Sequence, residues 1–251
     1  MKGRVGVFMN DVVKIMNVPF DTSGMNGAVK KIMGYFEDGG EHIICTPNPE
    51  IVMEAQKDKT LFGILLAADL VVPDGVGIVW ASKFSKNKLK ERVSGYDLCI
   101  KLFEKMKDTD KTVYFFGGSP GVAAEAAKKM MAKYKGLKIV GYRNGYFSPK
   151  DESQILADIR NASPDLLLVG LGSPKQEKWI YDNLRFTCAK AAIGVGGSFD
   201  VMAGNIKRAP KIYRKFGLEW LYRLIKQPSR FKRMMKLPEF AILIILKRNV
   251  K

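Results

Sequence analysis

Short runs rich in β-branched and aromatic residues recur along the chain between longer stretches of helical periodicity: residues 42–46, 70–72, 112–116, 138–142, 166–169 and 191–195. Runs such as TVYFFG and DLLLVG are apolar at consecutive rather than alternate positions, as a strand covered on both faces requires. Strand and helix alternating in this way predict an α/β fold, with a mostly parallel Rossmann-like sheet and helices on both faces. No internal repeat and no low-complexity linker interrupts the pattern.

Near Asn205 the glycine-rich strand and turn chemistry gives way to basic amphipathic segments, with breaks expected at Pro228 and Pro238. The chain therefore divides into an α/β body, residues 1–204, and a basic helical C-terminal appendage, residues 205–251. Within the appendage Leu218, Leu221 and Ile225 share one helical face, with Trp220 and Leu224 beside them. Such a helix either packs on the body or lies on an anionic lipid surface, and the aromatic residues among so many cations favour the lipid surface.

Three strand ends share one local pattern: Thr46-Pro47-Asn48-Pro49, Gly117-Gly118-Ser119-Pro120 and Gly170-Leu171-Gly172-Ser173-Pro174. In each, Asn48, Ser119 or Ser173 is placed to cap a helix whose first residue is the following proline. In a parallel sheet these helix starts gather outside the carboxyl ends of the strands, where their N–H groups attract phosphate. A fourth loop, Gly194-Val195-Gly196-Gly197-Ser198, permits close backbone approach to a ligand. Taken singly each loop is an ordinary turn; four at corresponding positions predict an anion site.

Charge narrows the partner. The formal net charge of the 251 residues is +17, and residues 207–251 hold 14 Lys or Arg against two acids, Glu219 and Glu239, so the appendage carries most of it. An acidic partner is expected: an anionic membrane, a phosphorylated substrate or nucleic acid. The concentration of charge in a tail of membrane-type amphipathicity, with no helix-turn-helix or RNA-binding signature, argues against nucleic acid. No glycine loop completes the dinucleotide fingerprint, since Gly75-Val76-Gly77 is followed by Trp80 and Gly170-Leu171-Gly172 by Lys175, so a nicotinamide or flavin cofactor is not expected. The longest apolar run, 240–246, is too short to cross a bilayer, which takes about 20 residues. The first ten residues lack the apolar stretch of an export signal. Cys45, Cys99 and Cys188 lack metal-site spacing, and their odd number fits a reducing compartment.

With His42 as the single histidine, at the start of a strand, general-base chemistry falls to another residue type. Asp74, ending a strand in VVPDGVG, is the candidate base; as an alternative it caps the helix that follows. Asp200, after the Gly196-Gly197 turn, caps a helix or hydrogen-bonds a ribose or base. The Asp108-Thr109-Asp110 pair resembles a metal-holding D-x-D, but it precedes a strand and so lies at the far end from the ligand loops. No metal and no cofactor is expected.

Six motifs in order, TPNPE at 46–50, PDGVG at 73–77, ERVSGYDL at 91–98, FFGGSPG at 115–121, GLGSPKQE at 170–177 and GVGGSFDVMAG at 194–204, together resemble the WecG/TagA/CpsF glycosyltransferases. The resemblance implies an inverting, metal-independent transferase. It would move a sugar from a UDP-sugar to a polyprenyl-diphosphate-linked acceptor at the cytoplasmic membrane face, as a peripheral protein. The TagA branch adds N-acetylmannosamine to lipid-linked N-acetylglucosamine in wall teichoic acid linkage-unit synthesis; another UDP-sugar is the alternative. Carried over, Asp74 is the base for the acceptor hydroxyl, and Thr46, Asn48, Arg92 and Gln176 are further polar positions of the active site. Gly117, Gly118, Gly170, Gly172, Gly196 and Gly197, with Ser119, Lys175 and Asp200, form the UDP pocket. Arg223, Arg230 and Arg233 of the appendage face the diphosphate. Away from the membrane, self-association would cover the appendage.

Overall fold

The computed structural model describes residues 12–210, 212–213, 217–226, 228 and 231–247, without the side chains of Arg223, Lys232, Arg233 and Lys247. All six expected strands form: β3 (His42–Cys45), β4 (Leu70–Val71), β5 (Thr112–Gly117), β6 (Lys138–Arg143), β7 (Leu166–Gly170) and β8 (Ala191–Gly194). They make one six-stranded parallel sheet in the order β4-β3-β8-β7-β5-β6. From β3 the chain winds to one edge at β4, and from β5 to the other edge at β6. β7 and β8 fill the middle, so the winding direction reverses over the central strands, where open α/β sheets bind ligands.

The consecutive apolar runs are explained by burial on both faces. Ile44, Val113, Phe115, Leu168 and Ile193 enter one core with α1 (Gly24–Tyr35), α5 (Gly95–Met106), α6 (Val122–Lys133) and α9 (Ser198–Met202). Tyr114, Phe116, Leu167 and Val169, one residue out of phase, enter the opposite layer with α7 (Glu152–Ala162) and α8 (Lys175–Asn183). A period of two in side-chain direction with no polar position is what removes the alternation.

An antiparallel hairpin, β1 (Val12–Ile15) and β2 (Val18–Asp21), was not expected from the sequence. Its turn is Met16-Asn17, both at positive φ (49° and 65°), without the glycine that usually marks such a turn. Its stability comes from burial: Val13, Ile15, Val18 and Phe20 are fully buried against α2 (Pro49–Ala55), α3 (Lys59–Ala67) and α4 (Val76–Ser82).

The appendage forms α10 (Glu219–Lys226), α11 (Phe231–Met234) and α12 (Lys236–Lys247). Pro238 does not break the last of these as expected. It sits in the first turn of α12, where a missing N–H leaves no helical bond unmade. Phe240 and Ile244 of α12 are buried in the same cluster as Val52, Met53 and Ile78, so the end of the appendage is part of the body's packing. No helix among the described residues is long and apolar enough to cross a membrane.

Candidate active site

Two of the three expected caps are corrected. Asn48 caps α2 as read, its Oδ1 accepting from the Ile51 N–H at 3.0 Å with Pro49 at the first helical position. Ser119 does not cap: its carbonyl accepts from Val122 N in a turn, and α6 starts only after Gly121 at φ +84°. Ser173 does not cap either, because α8 begins at Lys175 with Pro174 in the cap position. In both loops the glycines set the path, and the extra turn moves the helix start past the proline.

Asp74 is not a helix cap; Gly75 holds that place before α4. Its carboxylate points inward. Oδ1 accepts from Arg92 Nε at 3.2 Å and Oδ2 from the backbone N–H of Gly95, the first residue of α5, at 3.3 Å. Gly95 is packed against Thr46: a Cβ built there would come 3.1 Å from Thr46 Oγ1. Thr46 in turn donates to the Gly194 carbonyl at 3.5 Å, bridging the ends of β3 and β8. On the far side of Gly194 lies the buried Gln176, whose Oε1 accepts from Gly196 N at 2.9 Å while Nε2 donates to Glu177 Oε1 at 3.0 Å. Burial raises the Glu177 carboxyl above its ordinary range, against the lowering effect of Gln176 and Ser173. Residues from four separate motifs, Thr46, Asp74, Arg92 and Gln176, are thus brought together across the carboxyl edge of β4, β3 and β8.

Glu219, at the start of α10, was not foreseen as a site residue. It is buried, and its Oε2 accepts from Arg92 Nη1 at 2.8 Å while Oε1 stands 3.9 Å from Arg208 Nε. Arg208 makes a two-pronged bond to Asp97, at 2.6 and 2.5 Å, and its guanidinium lies 4.7 Å over the Tyr96 ring. Burial works against the Arg92 charge, but Asp74 and Glu219 outweigh it and hold the guanidinium more firmly charged than usual. Burial likewise tends to raise Asp97, but Arg208 and the Ser94 hydroxyl hold its carboxyl below the usual carboxylate range. One sequence signal pointed here: Glu219 is one of only two acids among the 14 cations of residues 207–251. A carboxylate in such a field has cations on every side to pair with.

Two cavities meet at Glu219. The larger, about 580 Å³, is lined by Gly197, Asp200, Lys207, Arg208, Tyr222 and Lys226 among others. The smaller, about 100 Å³, is lined by Asn48, Asp74, Arg92, Val76, Trp220 and Leu237 among others. Gly197 and Asp200 are the only residues expected in a UDP pocket that line the larger cavity. Gly117, Gly118, Gly170 and Gly172 stand at and just after the ends of β5 and β7. There Gly118 N donates to Gly170 O at 2.9 Å. Ser119 and Lys175 are exposed, with the Lys175 ammonium 4.8 Å from the Phe147 ring centre. Arg230 lies outside the described residues, as do the side chains of Arg223 and Arg233.

The model of the glycosyl transferase WecG/TagA/CpsF family matches residues 13–251. The chain belongs to this family. It is 37% identical over 211 residues to the N-acetylglucosaminyldiphosphoundecaprenol N-acetyl-beta-D-mannosaminyltransferase of Bacillus spizizenii, covering 84% of this chain and 81% of that one. To the enzyme of the same name from Bacillus subtilis it is 36% identical over 239 residues, 94% of this chain and 92% of the relative. As a glycosyltransferase of this family, the chain has its polar centre at the carboxyl edge of the sheet. His42 stands at the other edge, stacked on Tyr35 at 3.9 Å with Nε2 3.0 Å from Asp38 Oδ1. The Asp108–Asp110 pair is also at that edge, where Asp110 pairs with Lys138. Among the described residues no three His, Cys, Asp or Glu side chains cluster as a metal site would need.

Proposed function

We propose that the chain transfers N-acetylmannosamine from UDP-N-acetylmannosamine to N-acetylglucosaminyl-diphospho-undecaprenol, the step that builds the wall teichoic acid linkage unit. Both relatives carry the name of this transfer. The observation that carries the reading is the placement of Asp74: a partly buried carboxylate, fixed by Arg92 and the Gly95 N–H, opening on a cleft that shares its wall with a cation-lined cavity.

In this reading Asp74 takes the proton of the acceptor sugar's hydroxyl as the oxygen attacks the donor's anomeric carbon. The new C–O bond forms on the face opposite the C–O bond that breaks, so the anomer inverts, and UDP leaves with the bonding electron pair. Arg92 and the cations around the larger cavity offset the charge that develops on the diphosphate, without a metal. The UDP moiety occupies the larger cavity beside the loops after β5, β7 and β8, with Asp200 on the nucleoside and the appendage arginines towards the diphosphate. Asp97 holds Arg208 in place at the rim.

The test is UDP release from a panel of UDP-sugars with a lipid-diphosphate N-acetylglucosamine acceptor. UDP-N-acetylmannosamine is expected to be turned over well above the others, in the presence of chelator as in its absence. Turnover of a different UDP-sugar alone would reassign the donor, and loss of turnover with chelator would overturn the metal-free mechanism.

Residues 205–251 form the surface that meets the membrane as a peripheral appendage. On α12, Phe240 and Ile244 face the core while Ile242, Ile245 and Leu246 are 55%, 57% and 75% exposed. Burying each isoleucine in lipid contributes about 1.5–3 kcal/mol. The double variant Ile242→Glu/Ile245→Glu is expected to lose sedimentation with anionic vesicles by at least about tenfold while retaining UDP. Unchanged sedimentation would remove α12 from the membrane contact. Cutting at Gly204 is the poorer test, because it strips Phe240 and Ile244 from the core.

A further inference from the structure

The cavities on either side of Glu219 differ in chemistry. The larger presents Lys207, Arg208 and Lys226, cations that suit an anionic group. The smaller combines polar and ionic side chains, Asn48, Glu50, Asp74, Arg92 and Glu219, with apolar Val76, Trp220, Met234 and Leu237. Val76 and Trp220 are 40% and 38% exposed, and Phe231 and Met235, on either side of Met234 in sequence, are 58% and 52% exposed. The cleft is narrow by construction. Gly217, at φ +71°, lets the start of α10 lie so close to α4 that a Cβ there would come within 2.7 Å of Val76 Cγ1.

We infer that the smaller cleft is the acceptor's side of the site, and that Val76, Trp220, Met234 and Leu237 hold the isoprenoid unit next to the diphosphate of the lipid-linked acceptor. The inference rests on the transferase reading above and assigns the residues that recognise the lipid end of that substrate. Three physical points support it. A nucleotide sugar has no apolar end and would leave Val76, Trp220, Met234 and Leu237 unmatched, whereas a prenyl diphosphate sugar carries both a polar and an apolar group. A volume of about 100 Å³ admits only a short piece of chain, so the rest must lie outside the cleft, where exposed apolar side chains such as Phe231 and Met235 are available to meet it. Donor and acceptor must also meet with the acceptor hydroxyl at Asp74, which lines the smaller cavity and not the larger. Val76 and Leu237 are therefore specificity-determining residues for the prenyl group.

The experiment compares two acceptors with the full chain: N-acetylglucosamine diphosphate esterified to farnesyl, and the same compound with a methyl group in place of the prenyl chain. For the unaltered chain kcat/KM is expected to favour the farnesyl acceptor. In Leu237→Ser and in Val76→Ser the ratio of the two kcat/KM values should fall about tenfold, with UDP affinity unchanged. Val76 is exposed enough that its variant folds even if the Leu237 change loosens α12. A ratio unchanged in Val76→Ser, or a loss of UDP affinity in its place, overturns the assignment, the second by giving the cleft to the donor. Failure of the unaltered chain to use either acceptor while it still binds UDP would overturn the acceptor reading beneath it.

Discussion

Asp74→Asn is expected to lower turnover by about 10²- to 10⁴-fold while leaving UDP affinity within about twofold, measured by UDP release and by calorimetric titration of UDP. The amide matches the carboxylate in shape, and its one oxygen can still accept from the Gly95 N–H, although the bond from Arg92 Nε is lost because an NH2 group cannot accept it. What it lacks is the capacity to take a proton. Asp74→Ala should lose turnover to a similar extent, since both variants remove the same proton acceptor. The buried Glu219 keeps its hold on Arg92 in each variant, at 2.8 Å in the parent structure, so the neighbouring guanidinium stays in place. Near-normal turnover in either variant would remove Asp74 from the role of base.

Gly117→Ala should be the most damaging single-methyl change in the sheet. Gly117 ends β5 at φ +131°, and a Cβ there would stand 2.4 Å from the Gly170 carbonyl oxygen, a backbone atom that cannot swing aside. Backbone strain alone costs about 1–3 kcal/mol, and separating β5 from β7 breaks the Gly118 N–H bond to the same carbonyl. For a chain of this size the sum lowers Tm by about 10 °C or more. UDP affinity should fall with it, because this junction borders the proposed nucleotide pocket. Gly121→Ala is the control: its φ is +84°, but a Cβ there meets nothing within 4 Å, so only the dihedral strain remains. Thermal melts of equal depression would show that the close approach to Gly170 does not matter.

The six parallel strands were legible because burial on both faces writes itself directly into unbroken apolar runs such as Leu166–Val169. The β1–β2 hairpin was not legible. Its strands are four residues each, its turn lacks glycine, and what holds it is a buried cluster assembled from α2, α3 and α4 far along the chain. Asn48 was read correctly as a cap because the Asn-Pro pair acts locally. Ser119 and Ser173 were misread because left-handed glycines at 118, 121 and 172 redirect the loops before a helix can start. Pro238 was misread as a break because proline's cost depends on its distance from the helix start, and that start at Lys236 depends on α12 docking.

The sequence by itself determined the fold class, the family, the concentration of charge in the last 45 residues and the identity of the candidate base, since each follows from residue type, order or local spacing. The tertiary structure alone decided that Thr46, Asp74, Arg92 and Gln176 surround one edge of the sheet. It also placed Glu219 between Arg92 and Arg208 and Phe240 in the core, and set two cavities of unlike chemistry on either side of one carboxylate. The physical reason is that these are contacts between groups far apart in sequence, 148 positions for Thr46 and Gly194, made by the packing of strands and helices that no local pattern encodes.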